Sequence, residues 1–291
     1  MARTNNIQVF KTYIDQLDDV YKLASVSAVL ESNAELVRQG RNAGEFDIPK
    51  IDMDGLADYS RSDGYKTGKA DISFETVKSD FDRGRIFNID AMDNEETVGI
   101  AFGRLASEFM RTKVVPELDA YRFAKYAGKA GKKEAAALAD GSAVMTAISN
   151  ALLHMDNEEV PEEGRFLFIT PAHLNAIKSL DTTKSRELLG TLEGRIIKVP
   201  QARFYSAIDQ LDGATSGEEV GGYKKNASAK DLNFMLLHKS ALIQFTKHTV
   251  SKVFTPEENQ KADAWAFHYR SYGIASVLEN KVNGIYVHTA A

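Results

Sequence analysis

Apolar residues recur at helical spacing through residues 93–128, where they form a broad face suited to burial. This spacing predicts one long helix of about 50 Å, a rod on which sheets could pack. Pro116 lacks the N–H that an interior helical turn needs, so we expect the helix to kink or restart near Val115. The face consists of Val98, Ile100, Ala101, Phe102, Leu105, Ala106, Phe109, Met110, Val114 and Leu118.

A second helical stripe lies near the N-terminus. Its apolar residues follow one another at steps of three and four, which predicts an amphipathic helix over about residues 6–23. Such a stripe needs a surface to cover it, and the sequence leaves open whether that surface is the same domain or a neighbouring subunit. The stripe consists of Ile7, Phe10, Ile14, Leu17 and Tyr21.

Strict alternation of apolar and polar residues at 70–76 predicts a β-strand. An extended segment at 45–51, with Pro49 suggesting an edge position, precedes this region. The strand and a turn at 62–65 predict a hairpin-like loop over about residues 52–82. Its apolar face is sparse, and isolated two-stranded ribbons are marginal in water, so we expect the loop to lie over a partner. Arg61 and Tyr65 have the composition that interfaces favour.

Strands and helices alternate between residues 142 and 200, which predicts a mixed α/β module. The preceding segment, 129–140, is rich in Lys and Ala and predicts a solvated linker with a helical turn. The runs LNFMLL and SALIQF predict buried strands, and residues 268–277 predict a long two-faced strand. Asn283 and Gly284 should turn the chain back into a final strand at 285–288.

Composition narrows the function classes. The chain has 291 residues, a net charge of −5 and no cysteine, which excludes disulfides, thiolate zinc sites and cysteine nucleophiles. Its Lys and Arg residues are spread along the chain, which argues against tight binding to a phosphate backbone but allows the protein to enclose nucleic acid. It has no secretory signal and no apolar run long enough to span a membrane, so we expect a cytoplasmic product with no membrane partner.

Candidate chemistry is weak. An acidic cluster could form a metal or acid/base site, but a helix N-terminus and the neighbouring Arg83 and Arg85 provide a structural explanation, which we prefer. No complete calcium loop, zinc-binding histidine pair, phosphate-binding loop or nucleophile motif occurs. We therefore expect no enzyme activity, cofactor or metal, and a metal-dependent hydrolase is the weakest alternative. The cluster consists of Asp80, Asp82, Asp90, Asp93, Glu95 and Glu96.

The order of these parts resembles the major capsid proteins of tailed bacteriophages with the HK97-type fold. The runs that carry the resemblance are DGLADYSRSDGYKTG, DFDRGRIFNIDAMDNEET, VVPELDAYRFAKYA and FTPEENQKADAWAFHYRSYGIASVLENKVNGIYVH, and the similarity covers nearly the whole chain. It implies an α+β fold with a long spine helix, a peripheral sheet, an axial α/β domain and an extended β-hairpin loop. The implied segments are an N-terminal arm (1–45), the extended loop and its flanking strands (46–92), the spine helix (93–128), the axial domain (129–236) and the C-terminal strands of the peripheral domain (237–291).

The resemblance also implies a function. It predicts a structural protein, made in the host bacterial cytoplasm, that assembles into pentamers and hexamers of an icosahedral head enclosing double-stranded DNA. The further partners that it implies are a portal and either a separate scaffolding protein or none. The same-fold alternative is the shell of an encapsulin-type cellular nanocompartment. Some relatives join subunits through a lysine in this loop, but we treat the lysines here as solvated or salt-bridged. The candidate inter-subunit contacts are Arg61, Tyr65, Lys66 and Lys69 in the loop and Phe10, Ile14 and Leu17 in the arm.

Overall fold

The computed structural model describes residues 25–32, 38–39, 45–62, 64–92, 106–180 and 182–291. The predicted N-terminal helix and residues 93–105 of the predicted spine lie outside these residues. The helices are α1 (Val115–Lys129), α2 (Gly141–Asn157), α3 (Pro171–Leu180) and α4 (Thr183–Thr191). The strands are β1 (Arg38–Gln39), β2 (Glu45–Met53), β3 (Ala70–Lys78), β4 (Phe81–Asp90), β5 (Lys132–Ala135), β6 (Arg165–Ile169), β7 (Ile196–Lys198), β8 (Ile208–Gln210), β9 (Tyr223–Lys225), β10 (Leu232–His238), β11 (Leu242–Phe254), β12 (Ala264–Val277) and β13 (Ile285–Thr289).

The strands form four sheets. A five-stranded sheet has the order β5-β13-β10-β6-β7, and a three-stranded sheet has the order β11-β12-β4. The third sheet, β1-β2-β3, is a ribbon, and β8 pairs with β9 alone. Within the five-stranded sheet the two outer pairs are parallel, while β10 runs antiparallel to both of its neighbours.

The spine helix restarts where the sequence predicts. Residues 106–109 are helical, a π-helical turn follows at Met110–Val114, and α1 begins at Val115 with Pro116 in its first turn. A proline in the first turn lacks only an N–H that has no helical partner there, so the wider π turn separates two regular segments. The predicted restart near Val115 is confirmed for the described part of the spine.

The spine helix lies between the five-stranded sheet and the β11-β12-β4 sheet, and it shares one core with both. From α1, Phe123 and Tyr126 are fully buried, and Phe123 packs edge-on against Phe168 of β6 at 5.2 Å between ring centroids. From the three-stranded sheet, Phe267 and Tyr269 of β12 join the same cluster. Burial of these large side chains, about 1.5–3 kcal/mol each, makes the spine the centre of the structure.

The other face of the five-stranded sheet is covered by helices. Leu236 of β10 and Tyr286 of β13 point to the side opposite Met235 and Leu237, and pack with residues of α2 and α3 such as Ile148. Every residue of β10 is buried, which is expected of a central strand covered on both faces. The predicted strand at LNFMLL and the predicted mixed α/β module are therefore present.

Strand β12 has the two faces that its alternation predicts. Tyr269 and Ser271 face the spine core, whereas Arg270 on the other face is exposed. The predicted reversal at Asn283 and Gly284 is wrong as a hairpin: a short 3₁₀ segment, Glu279–Gly284, carries the chain out of this sheet. Strand β13 then pairs with β10 and β5, so the last strand shares a sheet with the segment predicted to be axial.

One further local expectation needs correction, and one helix was not predicted. Residues 129–140 are not a linker with a helical turn, because β5 lies there and pairs in parallel with β13. Between α3 and β7 the chain forms the additional helix α4. Its N-terminus is held by Thr182 and Ser185, whose side chains each accept a hydrogen bond from the other's backbone N–H. None of the helices in the described ranges has the length and hydropathy needed to span a membrane.

A buried polar network fixes the first described segment to the spine. The Asp119 carboxylate has no solvent exposure and accepts hydrogen bonds from Ser25 Oγ at 2.7 Å, from Ser27 Oγ at 2.7 Å and from Ser27 N at 3.2 Å. Arg203 Nη1 lies 3.2 Å from its other oxygen. On the neighbouring turn, Arg122 Nη1 donates to Ser27 Oγ at 2.9 Å. A buried charge is tolerated only with partners of this kind.

The network predicts a large effect of Asp119→Asn. The amide would present two hydrogens to groups that themselves donate, so the free energy of unfolding should fall by about 3 kcal/mol. Urea denaturation measures this change. The control is Asp82→Asn, which removes an exposed pair with Arg270 and should cost within about 1 kcal/mol. Equal losses in the two variants would contradict the large contribution to stability that is assigned to the Asp119 network.

Strand β13 buries a histidine with an incomplete set of hydrogen bonds. His288 has no solvent exposure, stacks on Phe234 and accepts a hydrogen bond at Nδ1 from Asn233 Nδ2 at 3.0 Å. Its Nε2 has no partner among the described residues. Burial lowers the pKa of His288, and of the two nearby charged or titratable groups Glu134 opposes this effect while His173 adds to it.

The lowered pKa of His288 predicts that the protein loses stability in mild acid. The unfolded chain binds the proton below the ordinary histidine pKa of about 6.5 while the folded chain resists it, so the free energy of unfolding falls as the pH drops. His288→Gln should make the loss between pH about 7.5 and 5.5 smaller, as measured by urea denaturation at each pH. His248→Gln, at an exposed histidine, should retain the wild-type loss. An unchanged pH dependence in His288→Gln would refute this assignment.

Candidate assembly surface

The β2–β3 ribbon is buried at its base and exposed along its outer half. The two strands pair over nine residues each, from Glu45 opposite Lys78 to Met53 opposite Ala70. Among the described residues, β1 pairs with Phe46 and Asp47 alone, so the rest of β2 has an edge there, as the presence of Pro49 predicts. The predicted hairpin-like loop and its strand at residues 70–76 are thus present.

The base of the ribbon is anchored to the β11-β12-β4 sheet. Phe46, Ile48 and Val77 are buried against Ile243 of β11 and Ile274 of β12. The Phe46 ring also meets Phe245 edge-on at 5.4 Å between centroids. These contacts fix the direction in which the rest of the ribbon leaves the body.

The outer half of the ribbon turns an apolar face to solvent. Ile51 pairs with Ile72, and Met53 with Ala70, and directly paired residues lie on the same face. This face is opposite to the one that Phe46 and Ile48 bury at the base, because successive side chains of a strand alternate. Exposure is 59% for Ile51, 70% for Met53, 67% for Ile72 and 55% for Phe74.

The loop between the strands is closed but unburied. Asp54 N donates to Lys69 O at 3.0 Å, and Lys69 N donates to Asp54 Oδ2 at 2.7 Å. Beyond this closure, Tyr59 and Tyr65 pack ring against ring at 4.9 Å, and Gly64 adopts a positive φ of 77° in the tight turn. Exposed aromatic rings held in one place are suited to contact another surface.

The loop contact candidates share this exposed tip. Tyr65 is 90% exposed, and Arg61 and Lys66 are exposed as well. Lys69 is engaged locally by Asp71, which agrees with treating the lysines as salt-bridged or solvated. The arm candidates Phe10, Ile14 and Leu17 lie outside the described residues.

The described members of the acidic cluster each have a separate partner. Asp80 accepts hydrogen bonds from Tyr121 and Lys125, and Asp90 caps the N–H of Met92. Asp82 accepts two hydrogen bonds from Arg270, which lower the pKa of its carboxyl group. Asp93, Glu95 and Glu96 lie outside the described residues, and no group of three potential metal ligands occurs among those described.

Arg83 and Arg85 do not serve the acidic cluster as expected. Arg83 Nε donates to Glu117 of α1 at 2.6 Å, and its Nη2 donates to the carbonyl of Leu211 at 2.7 Å. Arg85 Nη2 donates to the carbonyl of Glu219 at 2.9 Å. The glycine-rich loop between β8 and β9 is therefore tied to β4. The sequence gives no signal for this, because the acceptors are backbone carbonyls.

No protein-family model and no curated protein sequence matches this chain. Solved structures do. A structure from Gordonia phage Cozz matches at a TM-score of 0.61 and 11% identity over 92% of this chain and 86% of that one. The capsid of Staphylococcus phage Andhra matches at 0.59 and 12% identity over 89% and 84%. A virus-like particle from Pyrococcus furiosus matches at 0.56 and 11% identity over 96% and 99%.

The similarity spans most of each chain, whereas sequence identity is near that of unrelated proteins. Such a match concerns the fold. The mixed helix and sheet architecture of this chain is consistent with the α+β fold of these structures. The chain therefore has the HK97-type fold of phage major capsid proteins, as its order of sequence segments predicts.

Proposed function

We propose that this protein is the shell subunit of a closed particle, the head of a tailed bacteriophage. In this proposal copies of the chain form pentamers and hexamers of an icosahedral shell that encloses double-stranded DNA. The observation that carries the proposal is the ribbon, whose apolar face is solvated in the single chain although its base is firmly anchored. The fold shared with phage capsids supports the same conclusion.

The ribbon gives the assembly a thermodynamic basis. Full burial of a large apolar side chain is worth about 1.5–3 kcal/mol, so four such residues provide a useful but modest gain at each contact. Association also costs freedom of motion, and only the surplus stabilises a pair of subunits. Because every subunit in a closed shell makes several such contacts at once, weak pairs give a stable whole.

The proposed contacts at the tip are Arg61, Tyr65, Lys66 and Lys69. Arg and Tyr are enriched in interfaces because both combine a large contact area with hydrogen-bonding groups. The net charge of −5 fits a container that holds DNA without binding it tightly. No catalytic step is assigned, and the described acidic residues are accounted for by their structural partners.

A cellular nanocompartment is the second candidate. It is favoured by the match to the virus-like particle from Pyrococcus furiosus, a cellular organism. This match covers 99% of the chain of that particle. The two candidates share the shell and differ in its contents. Both predict that the purified protein, expressed alone, forms closed particles, provided that no scaffolding protein is needed.

Electron microscopy and native mass measurement test the shell. Expressed protein should give closed particles of uniform diameter and of a mass equal to many subunits. Particles recovered from source cells should contain nuclease-protected double-stranded DNA if the protein forms a phage head. Particles that contain a protein cargo and no DNA would favour the nanocompartment over the phage head. A protein that stays monomeric from both sources would contradict the shell itself.

The exposed face of the ribbon predicts a difference between two adjacent substitutions. Phe74→Asp places a charge on the apolar face and should reduce particle yield by at least about tenfold, since a buried unpaired charge costs several kcal/mol. Ser73→Asp changes a neighbour that is also exposed, on the opposite face, and should assemble normally. Particle yield is measured by sedimentation and microscopy.

Both substitutions should leave the subunit folded, because both residues are exposed. Circular dichroism and urea denaturation of the unassembled subunit provide this control. Normal particle yield from Phe74→Asp, or an equal loss in both variants, would contradict the assigned role of the apolar face.

A further inference from the structure

A groove of about 950 Å³ lies beside the π-helical turn of the spine. One wall is the spine around Phe109 and Pro116, and the second is the inner face of the three-stranded sheet, with Phe87 and Tyr269. The third wall is the glycine-rich loop around Val220, held in place by Arg83 and Arg85. The groove is predominantly apolar, with a few charged side chains at its edges.

The chain enters the described structure beside this groove. Ser25 donates to Asp119, and Asp119 is bridged by Arg203, which itself lines the groove. The point at which residues 1–24 join the described chain, Ser25, therefore lies about one arginine side chain from the groove wall. A segment tethered so closely has a high effective concentration at the groove.

The sequence of this segment fits an apolar groove. Its stripe at residues 7–21 predicts a helix of 18 residues over 6–23, about 27 Å long, whose apolar side chains lie on one face. Helices bind grooves through anchors at positions i, i+3 or i+4, and i+7, which is the spacing of Phe10, Ile14 and Leu17.

We propose that residues 1–24 dock their apolar stripe into the groove of their own chain. Phe10, Ile14 and Leu17 then contact the spine, the sheet and the glycine-rich loop of the same subunit, in place of the inter-subunit contacts that the sequence also allows. Docking covers the groove, and the Asp119 network fixes the end of the docked segment. The inference does not depend on the shell function, because it concerns a contact within one subunit.

Site-directed crosslinking tests the docking. The chain has no cysteine, so two introduced cysteines form a unique pair. Val220→Cys places one at the groove, at a side chain that is 84% exposed, and Ile14→Cys places the other in the stripe. The matched control is Thr12→Cys, which lies on the opposite face of the predicted helix. With a short bis-maleimide, the Ile14 pair should crosslink within one chain at least about fivefold more than the Thr12 pair.

Mass spectrometry of the digested product identifies the joined peptides, and circular dichroism confirms that each variant is folded. A mixture of chains carrying only Ile14→Cys or only Val220→Cys tests docking between subunits. Crosslinks that form only in this mixture would overturn the proposal and assign the groove to a neighbour's arm. Equal yields from both helix faces would overturn it as well, and so would absence of any crosslink.

A second pair identifies a competing occupant. Residues 93–105 also carry apolar side chains, and preferential crosslinking of Phe102→Cys to Val220→Cys would assign the groove to them and overturn the proposal. An independent readout is the binding of a fluorescent apolar dye. Phe10→Asp should raise dye binding at least about twofold by uncovering the groove, while Thr12→Asp should not. These results do not depend on particle formation, so failure of the shell and failure of the docking are distinguishable.

Discussion

Burial of the Asp119 carboxylate constrains much of the molecule, because a charge removed from water must be met by fixed donors. Those donors come from Ser25 and Ser27 before the ribbon and from Arg203 after β7. Gln244 of β11 extends the network by accepting from Tyr126 and donating to the Ser27 carbonyl. Three distant parts of the chain thus meet on the spine helix, and the first described residues, at Ser25 and Ser27, are fixed there.

The layered core explains why the ribbon remains outside it. The spine is covered on one side by the five-stranded sheet and on the other by β12, and the second face of the five-stranded sheet is covered by helices. Only the base of the ribbon finds room on the remaining face of β11 and β12. The apolar side chains beyond Lys50 remain exposed among the described residues, and the proposed assembly would bury them against a second molecule.

Local patterns predicted the elements whose residues alternate or repeat strongly. The strands containing Phe74, Leu236 and Tyr269 were predictable, and so was the helix restart at Pro116, because each depends on neighbouring residues alone. Strand β5 was not, since Lys132–Ala135 carries no apolar alternation and becomes a strand only by pairing with β13 about 150 residues later. Helix α4 was missed although Thr182 and Ser185 offered a capping signal.

The exposed tip of the ribbon was also predictable, since Arg61 precedes the predicted turn at 62–65 and Tyr65 ends it, in a polar segment. The face that the ribbon buries was not, because pairing register and anchoring are tertiary properties. Anchoring matters for the proposed assembly. Phe46 locks the base of the ribbon onto the sheet whose other face packs on the spine, so the outer half is already oriented before any partner arrives. Less conformational entropy is then lost on docking, and a modest apolar face can suffice.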